Sequence, residues 1–386
     1  MEIYAQGTSV IERYAAHLDT APELIRRASL QESGRIVQLP PHHEVPLDVL
    51  DLSTANTTGT FKSWLACVTV ARCLGEDQAL ILGQSSGNTA NAMAAYTAHA
   101  GIHAVFLHPP ASRRRIVPRL ARAGTVRFIE IDASEQHIKA TMAACARTSG
   151  IPVAPTQRDQ DEANKMRAYF LRDAARELGR QWDWHVQAIS SAFGPFGFYK
   201  GVQEIRRTDR AAMRVPRFLG IQQEAVTPFV QALTGRKGDP DADMVEPTLF
   251  RRALTDELVQ RMRRLCAASR GTVRHLTNTR YRRLEPHAIT MLQEAGVTVA
   301  RDSDGQPRER AGLYSLAGTL DAIEQELIRP GERVLAVYTG GSAPPPPGTY
   351  RPHWRARPDE APDTISRALA EVWRGTDGRR GAEGRR

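Results

Sequence analysis

Residues 51–75 read DLSTANTTGTFKSWLACVTVARCLG, and residues 76–101 continue EDQALILGQSSGNTANAMAAYTAHAG. In the first stretch the turn-forming run Asn56-Thr57-Thr58-Gly59 leads to Lys62. Apolar residues at helical spacing follow as far as Gly75. In the second, ALILG is a short buried strand that delivers Ser85-Ser86-Gly87-Asn88-Thr89 to a small-residue helix ending at Gly101. A lysine and a run of hydroxyls and amides thus each stand at a helix entrance. The helix dipole disfavours a cation at such a place, and a desolvated lysine can condense with an aldehyde. Free backbone N–H groups there bind carboxylate or phosphate. The plain structural alternatives are a solvated lysine and an N-cap. One capping residue would serve a helix start, and five consecutive small polar residues exceed it.

Working outward, strands and helices alternate. HAVFLH is a strand and SRRRIVPRLARAG a helix. TVRFIEID and SEQHIKATMAACARTSG repeat the pair, and a short strand, IPVAP, precedes the long helix DEANKMRAYFLRDAARELG. Connections this short predict parallel βαβ units. HVQAISS is a strand that runs into SSAFGPFG and the helix FYKGVQEIRR. RFLGIQQ is a further strand, and ERVLAVYTGGS is a last buried strand and turn. Pro40 to His43 read as a loop. The segment 249–300 is helix-rich, with GTVRHLT as a strand inside it.

The 386 residues suffice for two domains, and 41% hydrophobic with 25% charged residues is ordinary for a soluble globular chain. No apolar run reaches membrane-helix length, and the first residues carry no secretory h-region. Cys67, Cys73, Cys145 and Cys266 show no metal spacing, so no metal is expected; reduced thiols fit a cytoplasmic protein. The formal charge of +9 raises nucleic acid as a partner. Its arginine clusters, Arg113-Arg114-Arg115 and the C-terminal pairs, lack interleaved aromatics and read as solvated faces.

Two more junctions complete the pattern. Ser190 to Gly194 lie between a strand and a helix, where backbone amides cradle phosphate. Thr339-Gly340 end the last strand, where a hydroxyl can meet a heteroaromatic nitrogen. In this order the motifs resemble the fold type II pyridoxal-phosphate (PLP) enzymes of the tryptophan synthase β superfamily, threonine synthase-like members above all. Asn56 to Lys62 is similar to N-x-TG-[ST]-F-K. Ser85 to Thr89 is similar to S-[ST]-G-N-[TS]. Gly220-Ile221-Gln222 with Glu224 and Ser315 to Gly318 follow in register, so the resemblance spans residues 45–342. It implies an α/β fold of two domains, each a mostly parallel sheet flanked by helices. Residues 1–59 and 166–350 would form the larger, PLP-binding one, and 60–165 a small inserted βαβ domain. Residues 351–386 would be a partly disordered tail carrying one helix.

The resemblance also implies roles. Lys62 would be the Schiff-base lysine and the base that moves the α-proton. Asn88 would bond the 3-hydroxyl of pyridoxal 5'-phosphate. Ser85, Ser86 and Thr89 would hold the substrate carboxylate. Ser190, Ser191, Ala192, Phe193 and Gly194 would hold the phosphate, and Thr339 would face the pyridine nitrogen. The activity implied is elimination or replacement at the β- or γ-carbon of a phosphorylated or otherwise activated amino acid, by a lyase or transferase. β-Replacement of the cysteine or cysteate synthase kind is the first alternative. A catalytically silent paralogue that binds a partner through its basic surface is the alternative of another class. The family also implies a homodimer, and the charge and hydropathy patterns predict neither nucleic acid nor membrane as a partner. Three departures stand out. Ser63-Trp64-Leu65 replaces the family's polar run after the lysine, the phosphate loop is glycine-poor with Pro195 inside it, and residues 249–300 follow no family pattern. They predict a divergent member serving a specialised biosynthesis.

Overall fold

The computed structural model describes residues 3–5, 8–54, 56–85, 87–343 and 348–383, and of Ile3 and 374–383 the backbone alone. Among these residues eleven strands alternate with helices: β1 (Ile3–Ala5), β2 (Arg35–His42), β3 (Val45–Asp51), β4 (Leu80–Gln84), β5 (His103–His108), β6 (Val126–Ile131), β7 (Trp184–Ala188), β8 (Arg217–Gln223), β9 (Thr272–Leu276), β10 (Val334–Tyr338) and β11 (Trp354–Ala356). The chain divides into two compact units. The first comprises Met1–Val10, Gln31–Phe61 and Gln160–Pro345; the second comprises Ile11–Leu30, Lys62–Asp159 and Pro346–Arg386.

The first unit is built on a seven-stranded sheet in the order β1-β2-β3-β10-β7-β8-β9. From β3 to β9 the strands run parallel, and β2 pairs antiparallel on either side. Strands β7 and β10 are buried along their whole length, as parallel strands covered on both faces must be. The helix Ala311–Glu324 is also almost wholly buried. Its Leu313, Leu316, Ala317 and Leu320 join Val186, Leu219, Val334 and Ala336 in one core. The α/β reading therefore holds. The stretch read as a loop at Pro40–His43 instead begins inside β2. Its prolines are tolerated because, among the described residues, β1 pairs only with Arg35 to Val37 and the register against β3 shifts between Leu39 and His42, so Pro40 and Pro41 fall outside the regular ladder.

The second unit has a four-stranded, all-parallel sheet in the order β11-β6-β5-β4. Two sequence expectations shift here. SRRRIVPRLARAG is not one helix but a 3-10 turn, Pro110–Arg115, and a short helix, Pro118–Ala121. Pro118 sets the break, because it pushes the preceding residue out of helical geometry. IPVAP makes only an isolated bridge, Val153 to Leu82. The C-terminal residues, expected as a tail, supply β11 and the helix Ala361–Glu383. Ala356, Ala361, Ile365, Ala368 and Leu369 pack into one core with Ile129, Ile131, Ile138 and Met142. Among the described residues no helix is long and apolar enough to cross a membrane, and no cluster of metal-ligating side chains occurs.

Candidate functional site

In the first unit, β3, β10 and β7 are neighbours and parallel, so their C-terminal ends lie side by side. This is where strand order reverses, and crevices at such points bind ligands. After β3 comes a heavily bonded turn. Asp51 accepts from Ser53 N and Thr54 N, and Arg35 Nε reaches it at 2.8 Å. The buried Asn56 amide donates to Ser33 O and Leu52 O and accepts from Ser33 N. Gly59 donates to Asn56 O at 2.8 Å with φ +66°. A Cβ there would also strike Ala343, so glycine is needed twice over. Phe61 N then donates to Thr339 O at 2.9 Å, and Thr60 bridges Gly340. The turn from Ser53 to Phe61 is thereby fixed to the strand end that carries the buried Thr339.

β7 delivers Ser190 and Ser191, both half-buried, to the helix Phe193–Thr208. Ala192 precedes it in left-handed geometry, φ +60°. Ser190 Oγ accepts from Arg251 N at 3.3 Å, so this hydroxyl also anchors the neighbouring loop. A Cβ on Gly194 would lie 2.6 Å from Gln187 Nε2 and 3.0 Å from Arg167 Nη1. Only glycine leaves those two side chains beside the helix start. Arg167 is buried, donates to Gln187 Oε1 at 3.2 Å and lies 4.7 Å from the Phe61 ring centre. Its Nε and Nη2 have no partner among the described residues. The Glu309 carboxylate lies against Gly340, where a Cβ would overlap it.

In the second unit, Lys62 is half-buried and opens the helix Lys62–Gly75. The Ser63-Trp64-Leu65 run is wholly buried, which explains the loss of the polar residues expected there. β4 ends at Gln84. Ser85 Oγ accepts from Gly87 N at 3.1 Å and Ala90 N at 2.9 Å, so Ser85 caps the helix Asn88–Ala100. Asn88 and Thr89 are half-buried in its first turn. Ser86 lies outside the described residues. Gly87 adopts φ +147°, closed to ordinary side chains, with Arg115 packed on it. Asn91 fixes that neighbour by donating to Arg115 O and accepting from Val117 N. Arg113 forks onto Glu130, whose carboxyl it holds below the usual range, so part of the arginine cluster is structural.

The strand order thus brings Ser190–Gly194 and Thr339 to one edge of the first unit, and Lys62, Ser85, Asn88 and Thr89 all stand at helix starts of the second. Arg167, Gln187 and Glu309 went unread. For Arg167 a signal existed: it interrupts the apolar run Met166 to Leu171 in a helix whose surrounding residues are buried.

The sequence model of the pyridoxal-phosphate dependent enzymes matches residues 36–340. The chain belongs to this family. Cysteate synthase of Methanospirillum hungatei is 23% identical over 295 residues, 74% of this chain and 67% of that protein. Threonine synthase of Mycobacterium tuberculosis is 25% identical over 305 residues, 77% of each. Among solved structures, maize serine racemase matches with a TM-score of 0.58 at 16% identity, over 88% of this chain and 91% of that one. The processed form of threonine deaminase isoform 2 from Solanum lycopersicum matches with a TM-score of 0.56 at 13% identity, over 88% of this chain and 80% of that one. These structures share the α/β fold. The family's cofactor is pyridoxal phosphate. The first unit fits its phosphate, with a helix start whose first N–H groups lack intrahelical acceptors and, beside it, a buried guanidinium with two nitrogens that have no partner among the described residues.

Proposed function

We propose that this PLP enzyme carries out elimination or replacement at the β- or γ-carbon of an amino acid bearing a phosphorylated or otherwise activated leaving group. The observation that carries the reading is the motif order Lys62, Ser85 to Thr89, Ser190 to Gly194 and Thr339 within one family match. Bound PLP supplies a sink for the electrons left at Cα when its proton departs. Lys62 holds the cofactor and moves that proton at its Nζ. Asn88 bonds the 3-hydroxyl, and Ser85, Ser86 and Thr89 orient the substrate carboxylate. The residues Ser190 to Gly194 take the phosphate. Thr339 meets the ring nitrogen with a neutral hydroxyl, which leaves the ring a weaker sink than a carboxylate partner would and suits loss of a leaving group.

The similarity to cysteate synthases favours β-replacement as the second reading. A cytoplasmic homodimer in a specialised biosynthesis is part of the same proposal. Phosphate and keto-acid release from O-phosphohomoserine, O-phosphoserine, serine and threonine separates γ- from β-chemistry and replacement from dehydration. Borohydride treatment should fix the cofactor to the peptide that contains Lys62. The Lys62→Ala variant should lose that adduct and about 10³-fold in turnover. An adduct on another lysine, or undiminished turnover, would sink the assignment. A silent binding protein would show neither adduct nor turnover.

A further inference from the structure

We propose that Arg167 is the counter-charge for the cofactor's phosphate at the entrance of the Phe193–Thr208 helix; this rests on the cofactor reading above. A buried charge without an ionic partner is costly, and a guanidinium relieves that cost by finding an anion rather than by neutralising. Arg167 is 1% exposed. Its one hydrogen bond goes to the neutral Gln187 amide at 3.2 Å, and the Phe61 ring offers a modest cation–π contact at 4.7 Å. Its other two donor nitrogens have no partner among the described residues. Burial pushes the group down to about 9, which still leaves it charged at neutral pH.

The surroundings are already positive. Nη1 lies 3.0 Å from where a Gly194 Cβ would be, in the first turn of the helix. That end carries the positive pole of the dipole and unbonded N–H groups. Two positive features side by side are stable together once an anion joins them. The helix start is one donor short, because Pro195 has no N–H. A guanidinium beneath it makes good that shortage for a phosphate monoester dianion.

The test compares wild type, Arg167→Met and Arg167→Lys as apoproteins titrated with PLP and with pyridoxal, which lacks the phosphate. Arg167→Met should weaken PLP about 10²-fold and change pyridoxal less than about 3-fold. Arg167→Lys, which keeps charge without the planar fork, should fall between, and it keeps the proposal falsifiable should the Met variant not fold. Apo Arg167→Met should unfold at the same or a higher urea concentration than apo wild type, because an uncompensated buried charge has gone. Inorganic phosphate should raise the melting temperature of the apo wild type and not of Arg167→Met. If cofactor is trapped on Lys62 but the PLP-to-pyridoxal affinity ratio is unchanged in both variants, Arg167 is structural and the proposal fails alone. Wild-type protein that takes up no PLP would overturn the cofactor reading, and this proposal with it.

Discussion

At the scale of the residue, the role proposed for Ser85 adds a second demand to a side chain that already has a structural one. Its hydroxyl oxygen accepts two backbone N–H groups and thereby caps a helix, while its own proton remains available to a carboxylate. Ser85→Ala should therefore cost about 1 kcal/mol of stability through the lost cap, read as a lower urea midpoint. A raised KM with little change in kcat would report the second task, and an unchanged KM would assign Ser85 to capping alone. Asn56 carries a different lesson. Its place in the motif was legible, but its work was not. The amide ties Ser33 and Leu52 to the turn, and no local pattern reveals a partner twenty-three residues away. Arg167 was missed for the same reason: a helical period marks a buried position but does not say what stands opposite.

At the scale of the element, strands buried on both faces announced themselves as apolar runs, and β4 to β10 were read on that signal, apart from the moderately buried β9, which a short strand pattern marked. What failed to show were β1, three residues long, and β2, whose Pro40 and Pro41 fall where the register against β3 shifts. β7 carries a hidden cost. His185 is fully buried among Phe198, Tyr199 and Phe218, and both ring nitrogens lack partners among the described residues. Burial first, and the Arg167 charge second, push it down to about 3. The folded state thus keeps His185 neutral, while the unfolded chain takes up a proton below about pH 6.5. Stability must fall as pH drops through that value, by up to about 1.4 kcal/mol per pH unit for this group. His185→Leu should remove that part of the slope and hold stability at pH 7 within about 1 kcal/mol. Urea midpoints at pH 7 and pH 5 check it: equal slopes in the two proteins would refute the burial argument.

At the scale of the whole molecule, strand–helix alternation sufficed for an α/β chain with parallel units, and the family resemblance for two sheets, but neither for the destination of the C-terminal residues. WRA is too short and too polar to read as a strand, yet it pairs with β6, and the following helix closes an apolar face. His353 binds the chain there too, accepting from Phe128 N at 3.1 Å, and Tyr350 meets His108 at 2.6 Å. Removing residues 349–386 should uncover Ile129, Ile131, Ile138 and Met142 and remove more than about 5 kcal/mol, the order of a whole domain's stability. Hydrogen exchange at β4 to β6 would report the loss. Deleting only 374–386 should leave those amides protected; equal damage from both truncations would refute the account. The second unit is also assembled from three separate stretches of chain. Its helix Pro22–Ala28 lies on the helix Lys62–Gly75, where Leu24 reaches Gly75 and Ile25 O meets Cys67 Sγ at 3.9 Å. A protease that cuts between Leu30 and Lys62 would therefore sever the backbone without freeing the pieces, and two co-expressed fragments divided there should reassemble.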